Sequence, residues 1–315
     1  MVYLQCLVGI FLLILGGNVL VSGSVIVAKR FHVSPLLIGL LLIGFGTSLP
    51  EFITSLFSVM REAEGLAVGN VVGSNIANIL LVLGVSAILN PVSIHEKSFS
   101  RDSIFLGLST IVLLVALLLG HITRGIGLLM CAALAFYVYY AYRTDKAHMK
   151  KQKADVTYTK LSRRFHIPTP LAIVLTICGL ILTLLGADFL VKSVVIIAGR
   201  LGISETIIGL TVVAFGTSLP ELVTGIIASL KKESGVVLGN VLGSNIYNAL
   251  FILGATALFF PISVPISIKT DVLIMTLATL ALLAIGWWRG RIGKGFGVLF
   301  LASYFAYIVY LGVSS

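Results

Sequence analysis

The chain has 315 residues, of which 58% are hydrophobic and only 11% charged, and its mean hydropathy is +1.11. These values lie far outside the range of soluble globular domains and place the chain in a bilayer. A net charge of +10 would point to nucleic acid in a soluble protein, but in a chain this apolar its distribution carries the information instead.

Crossing the hydrocarbon takes about 20 apolar residues, and ten stretches meet that length: 3–28, 34–60, 65–90, 102–121, 123–142, 169–199, 203–230, 235–260, 269–288 and 294–313. The predicted fold is an all-α polytopic membrane protein with ten transmembrane helices. The first stretch has no Lys or Arg ahead of its apolar run and is too long for the core of a signal peptide, so it is read as the first spanning helix. Cys6, Cys131 and Cys178 sit in apolar segments without paired or metal-ligand spacing, which argues against a disulfide framework or a zinc site.

The second stretch contains GFGTSLPEFITS around residue 46. Pro50 has no N–H, so the carbonyl four residues earlier loses its helical partner, and Gly44 and Gly46 loosen the same turn. A free carbonyl in hydrocarbon is tolerated only where protein, water or an ion supplies a partner. Thr47 and Ser48 precede Glu51 by four and three residues, which on a continuous helix places their hydroxyls on its face. In the third stretch Asn70, Ser74 and Asn78 recur every four residues on one stripe, and Gly69 and Gly73 allow close helix approach. Asn70 and Asn75, with Asn240 and Asn245 later in the chain, are read as staples between helices.

Between the fifth and sixth stretches, segment 143–168 holds eight of the 22 Lys and Arg. Basic segments stay in the cytoplasm. Threading ten helices from that anchor puts both termini outside and the connections near 29–33, 91–101, 231–234 and 289–294 inside. Those five inside segments collect 17 of the 22 basic residues. In the sixth stretch Asp188 and Lys192 form an i,i+4 pair, read as structural neutralisation.

The seventh and eighth stretches repeat the second and third at a constant offset of 170 residues. Thr217, Ser218, Pro220 and Glu221 match Thr47, Ser48, Pro50 and Glu51; Asn240, Ser244, Asn245 and Asn248 match Asn70, Ser74, Asn75 and Asn78. Each half holds five helices, and an odd number forces the second copy to enter the membrane upside down. The expected domains are a first repeat at 1–142, a basic linker at 143–168 and an inverted second repeat at 169–315. Inverted repeats place a binding site at their interface near the midplane and operate by alternating access. The carboxylates, hydroxyls, amide oxygens and freed carbonyls form an all-oxygen set, suited to hard cations such as Ca2+ and Na+.

GTSLPE followed by GN-x-x-GSNI-x-N, twice, resembles the alpha repeats of the sodium/calcium exchanger family within the cation/calcium antiporter superfamily. The resemblance implies four neighbouring cation sites lined by Thr47, Ser48, Glu51, Ser74 and Asn78 with Thr217, Ser218, Glu221, Ser244 and Asn248, joined by the backbone carbonyls of Gly44 and Ala214. It implies the long first and sixth helices as a sliding gate, a cell-membrane location, Na+ and Ca2+ as substrates, no cofactor and no obligate protein partner. Several relatives carry Asp where this chain has Asn248, potassium-dependent exchangers among them, which weighs against potassium cotransport. Glu51 and Glu221 together carry −2, balancing one Ca2+ or two Na+. The implied exchange of three Na+ for one Ca2+ is electrogenic, with each net charge worth about 2.3 kcal/mol per 100 mV. Proton/calcium exchange is the alternative, because carboxylates in such an interior can titrate at raised pKa. His32, His95, His121, His148 and His166 fall at predicted helix ends or in loops. No base therefore stands at the depth of Ser48 or Ser218, and the chain is read as a transporter and not an enzyme.

Overall fold

The computed structural model of the protein describes residues 2–94, 96–151, 167–201, 214–265 and 268–314. In the first half these form α1 (Val2–Phe31), α2 (Pro35–Met60), α3 (Glu64–Leu89), α4 (Glu96–Leu118) and α5 (Arg124–Lys151). The second half supplies α6 (Thr169–Arg200), α7 (Ala214–Thr217 and Leu219–Leu230), α8 (Ser234–Phe259), α9 (Lys269–Arg289) and α10 (Lys294–Ser314). Among the described residues, nine of these are long and apolar enough to cross a membrane. The exception is α7, because residues 202–213 of the expected span 203–230 lie outside the described residues.

Two short sheets clip the bundle. β1 (Val92–Ser93) pairs antiparallel with β4 (Arg291–Ile292), and β2 (His121–Ile122) pairs antiparallel with β3 (Ile262–Ser263). Shifting β1 by 170 residues gives β3, and shifting β2 gives β4. One sheet is therefore the two-fold image of the other, as halves inverted about an axis in the membrane plane require. Hydrogen bonds between connections obey the same alternation. Ser93 N donates to Ser234 Oγ (3.1 Å) and Arg30 Nη2 to Ile167 O (3.1 Å) at one end of the bundle. At the other end Ser263 N donates to Glu64 Oε2 (2.7 Å). The first end carries Lys29, Arg30, Lys231, Lys232, Arg289 and Arg291 and is called the basic face below.

α1 and α6 make the most extensive helix contact among the described residues. Gly9, Gly16 and Gly23, seven apart, lie against Gly186, Gly179 and Thr176 in antiparallel order. A Cβ on Gly16 would stand 2.5 Å from the backbone nitrogen of Thr183, so only glycine permits this approach. Close backbone contact of this kind supplies the van der Waals attraction that hydrophobicity cannot supply inside lipid.

Two expectations need correction at the basic face. α5 does not stop at 142 but continues to Lys151, so segment 143–168 begins as helix. Its Asp145 is buried and accepts from Ser34 N and Ser34 Oγ, both at 2.7 Å, at the start of α2. That bond gives the extension a polar reason to stay ordered. Arg101, counted with the connection 91–101, lies inside α4: Nε and Nη2 donate to Asp102 at 2.6 and 2.8 Å, and Tyr137 Oη donates to the same carboxylate at 3.1 Å. Arg101 is thus a structural ion pair and not a solvated topology signal.

Candidate functional site

α2 reaches the centre of the bundle in pieces. After Pro35–Ile38 comes a π segment, Gly39–Gly44, then Phe45–Thr47. Ser48 leaves the helical region at φ −81°, ψ 2°, and a new helix starts at Leu49 with Pro50 in its first turn. α7 does the same at Ser218 (φ −87°, ψ 5°) before Leu219–Leu230. Proline is tolerated there because first-turn N–H groups have no helical acceptor. Glu51 and Glu221 therefore sit in the first turns of half-helices, whose positive ends favour carboxylate charge. Each is buried to 1% exposure.

Three of the motif hydroxyls, those of Thr47, Ser48 and Thr217, lie against the opposite carboxylate. Ser48 Oγ donates to Glu221 Oε1 (3.5 Å), Thr47 also lies against Glu221, and the Thr217 hydroxyl bonds the Glu51 carboxylate. The one-residue break at Ser48 defeats the i,i+3 and i,i+4 rule that had put Thr47 and Ser48 on the face of Glu51, and the two-fold axis exchanges the partners. Further bonds stitch the halves: Ser244 Oγ donates to Gly44 O (3.3 Å) and Asn78 Nδ2 to Asn245 Oδ1 (3.1 Å), while Thr47 Oγ1 lies 3.0 Å from Ile43 O one turn back and 3.4 Å from Asn240 Oδ1 across the boundary. Asn70 Nδ2 holds Glu51 O at 3.0 Å, and Asn240 Nδ2 holds Glu221 O at 3.2 Å. Ser74, Asn78, Ser218, Ser244 and Asn248 are all buried, and Ala214 opens the segment that is the mate of the turn at Gly44.

Packing brings α8 onto this region. A Cβ on Gly243 would lie 2.9 Å from the Leu40 backbone, and Gly239 is tighter still against Leu36 O. Gly69 and Gly73, their mates, meet no described atom within 4 Å; the mates of Leu36 and Leu40 lie outside the described residues. π segments begin at Asn78 (Asn78–Leu83) and Asn248 (Asn248–Ile252). A π turn shifts the phase of a helix and recurs at functional sites. Nothing in the sequence pattern announced it. The polar stripe also continues beyond Asn78 and Asn248, to Ser86 and Thr256, both fully buried; extending the four-residue spacing by two turns would have found them.

Several buried polar atoms in this region have no hydrogen-bond partner among the described residues: Glu51 Oε2, Glu221 Oε2, Asn78 Oδ1, Ser218 Oγ and both amide atoms of Asn248. Leaving each unsatisfied costs about 1–3 kcal/mol, so a polar ligand at this position would repay what the fold has withheld. Two carboxylates with hydroxyl and amide oxygens suit a hard cation that is bound and released. Among the described residues no group of three or more His, Cys, Asp or Glu gathers to hold a resident metal.

A family model described as sodium/calcium exchanger protein matches residues 1–143 and 171–313. The sodium/calcium exchanger MaX1 of Methanosarcina acetivorans is 31% identical over 98% of this chain and 98% of its own length. The inner membrane protein YrbG of Escherichia coli is 30% identical over 97% and 95%. Among solved structures, the sodium-calcium exchanger NCX_Mj soaked with 10 mM Na+ and 10 mM Sr2+ superposes with a TM-score of 0.84, at 32% identity over 98% of this chain and 99% of that one.

Proposed function

The chain belongs to the sodium/calcium exchanger family, whose members are membrane antiporters and not enzymes, and from that premise we propose that it exchanges Na+ for Ca2+ across the membrane by alternating access. The observation that carries this reading is the pair of buried glutamates, one from each inverted half, with hydroxyls crossing between the halves to reach them. Gly44, Thr47, Ser48, Glu51, Ser74 and Asn78 from the first repeat, with Ala214, Thr217, Ser218, Glu221, Ser244 and Asn248 from the second, are the proposed ligands. Two carboxylates balance one Ca2+, so the empty site and the Ca2+-loaded site differ by two charges. Three Na+ in place of one Ca2+ leaves one net positive charge to move per cycle, and the exchange is electrogenic at 3:1.

Alternation uses α1 and α6 as one body. Glycine contacts bind these helices to each other, whereas along its length α7 meets α1 through apolar side chains, Val223 and Ile227 against Gly17, which resist sliding little, with a polar tie from Lys231 to Asn18 O and Ser22 Oγ at its end. The basic face is assigned to the cytoplasm by the positive-inside rule, with both termini outside.

The test is Ca2+ uptake into proteoliposomes loaded with Na+ and diluted into Na+-free buffer, with the membrane potential clamped and a proton ionophore present. Uptake should follow the Na+ gradient and respond to the imposed potential. Uptake that ignores Na+ and follows a pH gradient once the ionophore is omitted would overturn the assignment in favour of proton coupling.

A further inference from the structure

The offset of 170 pairs the corner between α2 and α3 with the corner between α7 and α8, and the two corners are packed differently. At the first, away from the basic face, Ile53, Thr54, Phe57, Ser58, Arg61 and Leu66 line a groove of about 360 Å³. Their mates at the basic face are Val223, Thr224, Ile227, Ala228, Lys231 and Val236, and there the space is filled. Phe57 is 52% exposed against 6% for Ile227, and Leu66 68% against 0% for Val236. α1 does the filling, since a Cβ on Gly17 would lie 2.5 Å from Ile227 Cδ1. α6, the mate of α1, has no comparable contact with Leu49–Met60 among the described residues.

One charged side chain marks the closed corner. Lys231 Nζ donates to Asn18 O (3.0 Å) and Ser22 Oγ (2.6 Å), tying α1 to the end of α7. Partial burial pushes the Lys231 pKa down, against the opposing pull of Glu233, so the two acceptors help to keep the ammonium charged. The mates at the open corner are Arg61, Asp188 and Lys192. Arg61 is exposed, and Asp188 accepts from Lys192 at 2.8 Å one turn along α6, both of them exposed as well. A solvent-exposed i,i+4 pair is weak and easily exchanged. An arginine offers a carboxylate a bidentate alternative that lysine does not.

We propose that Lys231 and Arg61 are the alternating access latches of this exchanger: Lys231 on Asn18 and Ser22 closes the basic face in the state described here, and Arg61 takes Asp188 from Lys192 to close the opposite face in the other. The two-fold axis supplies the geometry. Lys231 bonds the backbone carbonyl of Asn18 and the hydroxyl of Ser22, so the same operation brings Arg61 to the turn of α6 between Asp188 and Lys192, where the Asp188 carboxylate is the charged acceptor once Lys192 has released it. Arg61 then meets a full negative charge where Lys231 meets neutral oxygens, and the two closed states are held by different chemistry. The proposal rests on the alternating access of the preceding reading, but its test reads the groove and not the ions.

The experiment labels T54C in the groove with a membrane-impermeant maleimide, in right-side-out vesicles and with Cys6, Cys131 and Cys178 replaced. K231Q releases the basic face, and labelling is expected to slow by up to about tenfold, the full effect of one charge-assisted hydrogen bond on a two-state equilibrium constant. K231R should label like the parent. Adding D188N or R61Q to K231Q should restore fast labelling, because the competing closure is lost as well. Unchanged labelling in K231Q, or slowing that survives D188N, would overturn the latch assignment. Since labelling needs no gradient, failure of Na+ to drive Ca2+ uptake would remove the ion assignment and leave this result standing.

Discussion

The α1/α6 pair and the core formed by α2, α3, α7 and α8 solve opposite problems with the same kinds of residue. On α6 every buried residue is small: Ala172, Thr176, Gly179, Thr183, Gly186, Ala187, Ser193 and Ala198. The hydroxyls there are satisfied within their own helix, Thr176 on Ala172 O and Thr183 on Gly179 O. Ser22 and Ser24 of α1 likewise donate one turn back. In the core, hydroxyls and amides of the same types reach across helices and across the repeat boundary, from Ser48 to Glu221, Ser244 to Gly44 and Asn78 to Asn245. A Ser or Thr that back-bonds uses its one proton within its own helix, and the polar tie from a neighbour to this stretch of α1 is a bond that Ser22 and Asn18 accept from Lys231 at its end. A hydroxyl that crosses fixes the position of its partner. The α1/α6 pair is therefore bound together through backbone proximity, and the core is held by directional bonds.

The sharpest way to break this contrast is to remove charge from the core without removing shape. Glu51→Gln or Glu221→Gln keeps an acceptor for the crossing hydroxyl and nearly the same volume, yet leaves a divalent ion facing one carboxylate. Uncompensated buried charge costs about 3–5 kcal/mol, so Ca2+ affinity should fall by about two to four orders of magnitude while the thermal midpoint of the detergent-solubilised protein changes little. Normal Ca2+ flux in either variant would mean that the buried pair is structural.

The spans and the 170-residue repeat were legible in the sequence because hydropathy and residue identity encode them directly. The proposed ligands Glu51, Glu221 and the stripes through Ser74, Asn78, Ser244 and Asn248 were picked out by the same repeat, and each of them is buried. What was hidden depends on geometry that an offset cannot express. The crossing of Thr47 and Ser48 to Glu221 follows from the break at Ser48 and from the two-fold axis, and neither has a compositional signature. The π segments at Asn78 and Asn248 differ from α-helix only in the acceptor each N–H chooses. The network of Arg101, Asp102 and Tyr137 was missed for a different reason: charge counting treats an arginine near a helix end as solvated, whereas this one has its carboxylate adjacent in sequence and a tyrosine from α5 beneath it.

The gate role proposed for α1 and α6 is tested through their backbone contact. In Gly16→Leu the first added carbon would stand 2.5 Å from Thr183 N, and backbone cannot yield as a side-chain tip can. Forced overpacking costs about 1–3 kcal/mol, so the thermal midpoint should drop and exchange should fall with it. Gly312→Leu, on α10 with no described atom within 4 Å, is the matched control and should change neither. Equal losses in both variants would show that the seam has no special role.

The smallest effect belongs to the amide that orients another amide. Asn78 Nδ2 donates to Asn245 Oδ1 at 3.1 Å, which turns Asn78 Oδ1 into the site without a hydrogen-bond partner among the described residues. Asn75, the mate of Asn245, makes only long contacts, to Asn245 O at 3.5 Å and Met275 Sδ at 3.7 Å. Side-chain hydrogen bonds between helices in a membrane contribute about 0.6 kcal/mol on average, which is about threefold in an equilibrium constant. Asn245→Ala should therefore raise the Ca2+ concentration for half-maximal exchange about threefold at an unchanged maximal rate, and Asn75→Ala should do less. A fall in thermal midpoint with no change in half-saturation would place Asn245 among the groups that only hold the halves together. A shift in half-saturation without loss of stability would make the orientation of Asn78 part of how the core recognises its ion.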